Sequence, residues 1–261
     1  MRLRDKKRLD VEQVAYAAIS ICSFILLWQL IVMFTAVGNT LPGPFSTIRN
    51  FFTAFVKPVG KYTLLIHVLY SLTRVLVGYF IAAVFGICIG VLMGWFRLVE
   101  AILRPIIEAL RPIPAIAWIP IAIIWLGLGE ASKLFIMFIS AFMVIVQNTY
   151  DGVRRVDPVL VGAAKMLGAS TPHIFKTVVL PASVPQIFAG LQNALSVAWM
   201  TVLACEMVRS TEGVGWMIVM GMDTGNNAQI LVSMVCISIM GYLLATVMRG
   251  VEGRLCAWNR V

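Results

Sequence analysis

Apolar residues along this chain fall into long blocks, and charge, glycine and proline collect in the short stretches between them. A helix needs roughly 20 apolar residues to cross a bilayer. Six blocks approach that length: residues 14–37, 64–95, 113–128, 134–150, 186–208 and 228–248. The pattern predicts an all-α integral membrane protein with about six transmembrane helices, built as a single transmembrane domain over residues 1–261. The third block is short and holds Pro114 and Pro120, with Pro112 just before it. Proline removes a backbone donor, so a broken or tilted helix is expected there. In the second block Gly78, Ala82, Gly86, Gly90 and Gly94 recur at every fourth position. Such a stripe lets another helix approach closely, either within the chain or from a second subunit. After the first block, Phe45, Ile48, Phe51, Phe52 and Phe55 recur at helical spacing. They predict a short amphipathic helix, lying at a membrane interface or packed on the spans.

Composition strengthens this reading. The chain of 261 residues is 60% hydrophobic and 13% charged, with a mean hydropathy of +0.91. Soluble domains are about 25% charged. The net charge of +9 does not call for nucleic acid, because cytoplasmic loops of membrane proteins collect Lys and Arg. With the N-terminus inside, the inner segments hold Arg2, Arg4, Lys6, Lys7, Arg8, Arg97, Arg104, Arg111, Arg154, Arg155, Lys165, Lys176, Arg249, Arg254 and Arg260. The outer segments hold Arg49, Lys57, Lys61, Lys133 and Arg209. That ratio, 15 to 5, predicts that both termini are cytoplasmic. The first block is too long for a signal-peptide core and lacks a small-residue cleavage site, so it is read as a retained span.

Reactive chemistry is sparse. The five cysteines form no C-x-x-C pair, and the two histidines, His67 and His173, stand far apart. No His-Glu-x-x-His, Gly-x-Ser-x-Gly or carboxylate cluster is present, so neither catalytic residues nor a metal site are expected. The lone Gly60-Lys61 pair is followed by Tyr62, and Phe55 stands where a phosphate-binding loop needs its first glycine. If the chain moves anything uphill, the energy must come from a partner. Only Glu206 is a carboxylate clearly embedded near a span. It either lines a vestibule or pairs with Arg209 on the next turn, and the pairing is favoured if the cargo is an anion, as the resemblance given below implies. Arg74, inside the second block, contacts an anion or pairs with a carboxylate on another span.

The loop over about residues 151–185 contains VGAAKMLGASTPHIFKTVVLPASVP (161–185). Asp157-Pro158 suits a helix start. Gly168 suits a left-handed C-cap. Thr171-Pro172 can start a second helix, and Leu180-Pro181 is expected to stop it. Two short helices on a glycine turn make a compact knob suited to a groove on another protein.

At these residues the chain resembles the membrane permeases of bacterial ABC importers and their cytoplasmic EAA loop. That loop reads Glu-Ala-Ala, three residues, Gly, nine residues, Ile-x-Leu-Pro. Here the stretch runs Gly162-Ala163-Ala164, three residues, Gly168, nine residues, Val178-Val179-Leu180-Pro181. Gly162 replaces the Glu, and Val178 replaces the Ile. LPGP (41–44), SLTRVLVGY (71–79), RPIPAIAWIPIAIIWLGLGEASK (111–133), NTYDGVRRVD (148–157) and Glu206-Met207 followed by Gly213-Val214-Gly215 resemble one subgroup, the permeases for taurine, aliphatic sulfonates, nitrate and bicarbonate.

The resemblance implies a type I ABC importer permease fold in the bacterial inner membrane. It implies Gly162, Ala163, Ala164, Leu167, Gly168, Ala169, Leu180 and Pro181 as the ATPase-coupling loop. It also implies a second permease copy forming a homodimer, an ATP-binding cassette ATPase that carries ATP and Mg, and a periplasmic or lipoprotein solute-binding protein. Lipid surrounds the spans, and this chain itself is not an enzyme and holds no cofactor. Arg74, Pro114, Trp118, Pro120, Ser196, Trp199, Thr201 and Glu206 are candidates for the pathway or its gate. For Trp118 and Trp199, helix packing is the competing reading, and for the prolines a structural kink. The cargo implied is a small anion, taurine or another sulfonate first, nitrate or bicarbonate next. A pyrimidine or riboflavin-type precursor is the alternative cargo. An ATP-independent channel or secondary transporter is the alternative class.

Overall fold

A computed structural model describes residues 2–256, which are helical almost throughout. The helices are α1 (Arg2–Phe34), α2 (Pro44–Ala54), α3 (Leu64–Trp95), α4 (Arg97–Leu110), α5 (Ile119–Leu126), α6 (Glu130–Arg154), α7 (Pro158–Met166), α8 (Thr171–Ile174), α9 (Leu180–Arg209), α10 (Val214–Asp223) and α11 (Asn227–Leu255). Among the described residues, five helices are long and apolar enough to cross a membrane. The number is six if the bent pair α4 and α5 counts as one span.

The chain packs as two compact units. One holds α1, α2 and the Met217–Val235 stretch that ends α10 and begins α11. In it α1 leaves most of its apolar side chains exposed, from Tyr16 to Phe34. Pro44 occupies the first turn of α2, where a missing N–H costs nothing. Phe45, Ile48 and Phe52 of α2 stay exposed while Thr47 is buried. That exposed apolar face fits the interfacial alternative better than the packed one.

The other unit is built around α6. The small-residue stripe of α3 lies along it in a constant register. A Cβ on Gly78 would sit 2.4 Å from Met137 Cβ, and one on Gly86 would sit 2.8 Å from Ile145 Cγ2. A Cβ on Gly90 would lie 2.6 Å from Thr149 Cβ, and one on Gly94 2.6 Å from Val153 Cβ. Ala82 and Ala141 are both fully buried in the same cluster. The seam therefore serves packing within the chain. Each step of four on α3 meets a step of four on α6, so the two helices run parallel. On its other side α6 meets α9, which runs antiparallel. Gly152 faces Gln186, and Gly190 faces Asn148, with a hypothetical Cβ only 2.9 and 2.4 Å from the neighbour's Cβ.

Two expected boundaries move. The third span is not residues 113–128. At 1.5 Å per residue the 8 residues of α5 reach about 12 Å, too short to cross. The crossing candidate is α4 with α5, bent by 90° at the Arg111–Pro114 break. Pro112 and Pro114 offer no N–H there, and the chain continues through a 3₁₀ turn over Ala115–Trp118. Nor does Leu180-Pro181 stop a helix. α8 passes through a π-helical stretch, Phe175–Val179, straight into α9, a single apolar run over Thr171–Val208. The Leu180 N–H bonds to the Phe175 carbonyl five residues back. That widened turn makes room for the Pro181 ring, which would otherwise meet the carbonyl four residues before it.

Candidate functional site

The loop after α6 folds as its residues demand. The Asp157 carboxylate accepts the Val159 N–H at 2.8 Å, and Pro158 fills the first turn of α7. Gly168 adopts φ +80°, and a Cβ there would meet nothing within 4 Å. The Ala169 N–H bonds back to the Ala164 carbonyl at 3.1 Å, and the Gly168 N–H to the Lys165 carbonyl at 3.0 Å. This closes α7 with a left-handed C-cap. The inner face of the knob is anchored by Ile174 and Val179 on Val153, with Ala164, Ala169 and Phe175 against them. The Phe175 ring lies 4.8 Å from that of Trp95. The outer face is bare. Met166 is 86% exposed, Leu167 88%, and Val159 and Leu160 are exposed as well. Gly162 and Ala163 lie part-way in, and a Cβ on Gly162 would enter open space. The family's side chain at that position is sterically admissible. Leu180 and Pro181 lie past the knob, in the first turn of α9.

At the other end of α6 stands a charge cluster. Arg74 of α3, 3% exposed, donates from Nε and Nη2 to the two Glu130 oxygens at 2.6 and 2.7 Å. Its Nη1 donates to Glu206 at 2.8 Å and to the Glu212 carbonyl at 3.0 Å. Glu206 is fully buried. It accepts further hydrogen bonds from the Ser71 hydroxyl at 2.8 Å and the Gly215 N–H at 3.0 Å. The Val214 N–H donates to Ser71 Oγ, and the Gly213 N–H to His67 Nδ1. Gly213 itself, at φ +115°, has room for nothing larger: a Cβ would lie 2.3 Å from the Glu206 carboxylate. The arrangement clamps α3, α6, α9 and the 210–213 turn together. It neutralises a charge that would be costly alone at this depth.

Arg74 and Glu206 are therefore partners on different helices. Glu206 turns toward Arg74; the side chain of Arg209, the partner expected from spacing, lies outside the described residues. Sequence reasoning missed Glu130, Glu212, Ser71 and His67. The signal was present, since an arginine in an apolar block needs a carboxylate, but spacing along one helix favoured the nearer cation.

The other pathway candidates scatter. Trp199 is buried and donates its indole N–H to the Ile237 carbonyl at 3.2 Å. Thr201 is buried and bonds to the Val197 carbonyl. Ser196 is exposed, with its hydroxyl on the Gln192 carbonyl. Trp118 ends the 3₁₀ turn, Pro120 opens α5, and Pro114 stands at the break. A cavity of about 320 Å³ lies there, lined by Pro114, Arg111, Ser140, Gln147, Asn148 and Val197 among others. Among the described residues, no group of three or more His, Cys, Asp or Glu side chains could hold a metal ion.

The comparisons with known proteins agree with one another. The taurine transport system permease protein TauC of Escherichia coli is 32% identical over 95% of this chain and 90% of its own length. A putative ABC transporter permease protein of Methanocaldococcus jannaschii is 34% identical over 91% of this chain and 89% of its own length. The nitrate import permease protein NrtB of Synechocystis is 32% identical, covering 89% and 86%. The fold matches the MetNI methionine ABC transporter in an inward-facing conformation, with TM-score 0.65 and 21% identity over 74% of this chain and 95% of that one. This is the type I ABC importer permease fold. Residues 86–256 match the family model for the binding-protein-dependent transport system inner membrane component, and the chain belongs to that family.

Proposed function

We propose that the chain is the translocation subunit of an ATP-driven importer for a small anion, taurine or another sulfonate first and nitrate second. The observation that carries the importer reading is the knob, whose bare Met166–Leu167 tip and closed glycine turn keep the family's spacing. An apolar tip so exposed beyond the last turn of a membrane helix is suited to a cleft on a separate subunit. That subunit is an ATPase, which carries the ATP and Mg. The cargo order rests on the printed names of the relatives. A second copy of the chain completes the path, and a solute-binding protein delivers cargo to the face opposite the knob. Taking Arg97, Arg104 and Arg111 out of the inner loops, because they lie in α4 or at the α4–α5 break, leaves 12 basic residues against 5. That asymmetry still favours a multi-pass inner-membrane protein with both termini in the cytoplasm.

The test is co-purification of the tagged chain with the ATPase encoded beside it, with residues 161–181 intact or scrambled. Capture by the intact chain and loss with the scramble is expected. An intact chain that captures no ATPase and still moves taurine or nitrate in vesicles without ATP would replace the importer reading with a channel or secondary transporter.

A further inference from the structure

We infer that the cavity at the α4–α5 break is an anion-binding site on the translocation path, with Arg111 as its cation. The inference rests on the importer reading and deepens it. Three observations converge on the site. The first is depth. α6 runs from Glu130 to Arg154, and its cavity-lining residues, from Ile139 to Asn148, bracket the middle of that helix. The site therefore lies near the centre of a crossing helix rather than in a loop, and an ionisable group at such depth marks a pathway by default.

The second is the backbone. Non-helical chain at membrane depth persists only where protein buries it or where it lines a water-filled cavity. The Arg111–Pro114 break, with its two prolines, opens onto a cavity of about 320 Å³, within the range of small-molecule sites.

The third is charge. Arg111 is exposed and forms no ion pair among the described residues, in contrast to Arg74. Among the described residues, no carboxylate lines the cavity. Beside Arg111 stand two amides held in fixed poses. Gln147 donates one N–H to Asp151, and Asn148 donates one to the Val144 carbonyl while its oxygen accepts from Gln186. Each amide keeps a second N–H, a donor suited to an oxyanion. Met143, Val144 and Val197 form apolar wall. A single cation, two amide donors and an apolar wall match a small anion with a short apolar stem, the chemistry of an alkylsulfonate.

The experiment uses the full complex in nanodiscs, with the native cysteines replaced and Gln147→Cys or, independently, Val197→Cys introduced into the wall. Each is labelled with an anionic sulfonatoethyl and a cationic trimethylammonioethyl methanethiosulfonate. With Arg111 present the anionic reagent is favoured, and R111Q lowers the anionic-to-cationic rate ratio about tenfold, whereas R111K retains most of it. A parallel uptake assay expects the half-saturating taurine concentration to rise about tenfold in R111Q. A rate ratio that R111Q leaves unchanged at both positions overturns the anion site while the importer reading stands. A complex with intact Arg111 that takes up neither taurine nor nitrate sinks the proposed cargo instead.

Discussion

Replacing Arg74 should harm the protein more than replacing Glu206, although the two are bonded to each other. In R74M the Glu206 carboxylate, fully buried, keeps only the Ser71 hydroxyl and the Gly215 N–H among the described residues. A charge stripped of its buried partner costs about 3–5 kcal/mol. Glu130 loses its bidentate partner too, but its side chain is 52% exposed and water compensates most of that loss. In E206Q the arginine keeps both Glu130 bonds and the new amide oxygen still accepts from Ser71 and Gly215, while the amide NH2 faces the Arg74 Nη1 donor and the two must move apart. The loss is of one charge-assisted hydrogen bond, about 1–3 kcal/mol. A chain of this size loses about 2–4 °C of midpoint per kcal/mol. R74M should therefore fall by about 6–20 °C and E206Q by about 2–12 °C in a size-exclusion thermal assay of the detergent-solubilised chain. The double variant R74M/E206Q removes the stranded charge, so its loss should fall short of the two single losses added together, by about 0.5–3 kcal/mol. An R74M midpoint no lower than that of E206Q would refute this reasoning, as would strict additivity.

Four further substitutions probe helix packing and turn geometry elsewhere. Gly90→Val puts a Cβ 2.6 Å from Thr149 and 2.8 Å from the Val146 carbonyl, so overpacking of about 1–3 kcal/mol should lower the thermal midpoint, whereas Gly162→Ala should leave it unchanged. Gly168→Val forces a β-branched residue to φ +80° at a cost of about 1–2 kcal/mol, and captured ATPase should fall while Gly168→Asn retains most of it. Equal capture by the valine and asparagine variants would remove the turn geometry from the docking argument.

Helices with uniform apolar character were legible directly. The block at 64–95 coincides with α3, because no proline interrupts it and its few polar residues sit among long apolar runs. The knob was legible too, since Asp157, Pro158 and Gly168 act on their own neighbours. What escaped were features decided by tertiary surroundings. Pro181 looks like a stop, but a π turn three-dimensionally accommodated against Val153 carries the helix past it. The α4–α5 crossing hid because α4 is amphipathic and carries Arg97, Arg104 and Glu108, so it reads as a loop. The Arg74 cluster joins residues 56 and 132 positions apart, and no local spacing announces such a pairing.

The parallel seam between α3 and α6 has a mechanical corollary. Its seats repeat every four residues, about 6 Å along the axis. A slide smaller than that would drive each α6 side chain out of its hollow and onto the next ridge of α3. The pair therefore behaves as a stiff rod with a coarse pitch: it tilts or translates as one piece, or jumps a whole notch. On that reasoning a push delivered where Gly94 meets Val153, beside the knob, would be carried to where Gly78 meets Met137, one turn from the Arg74 cluster.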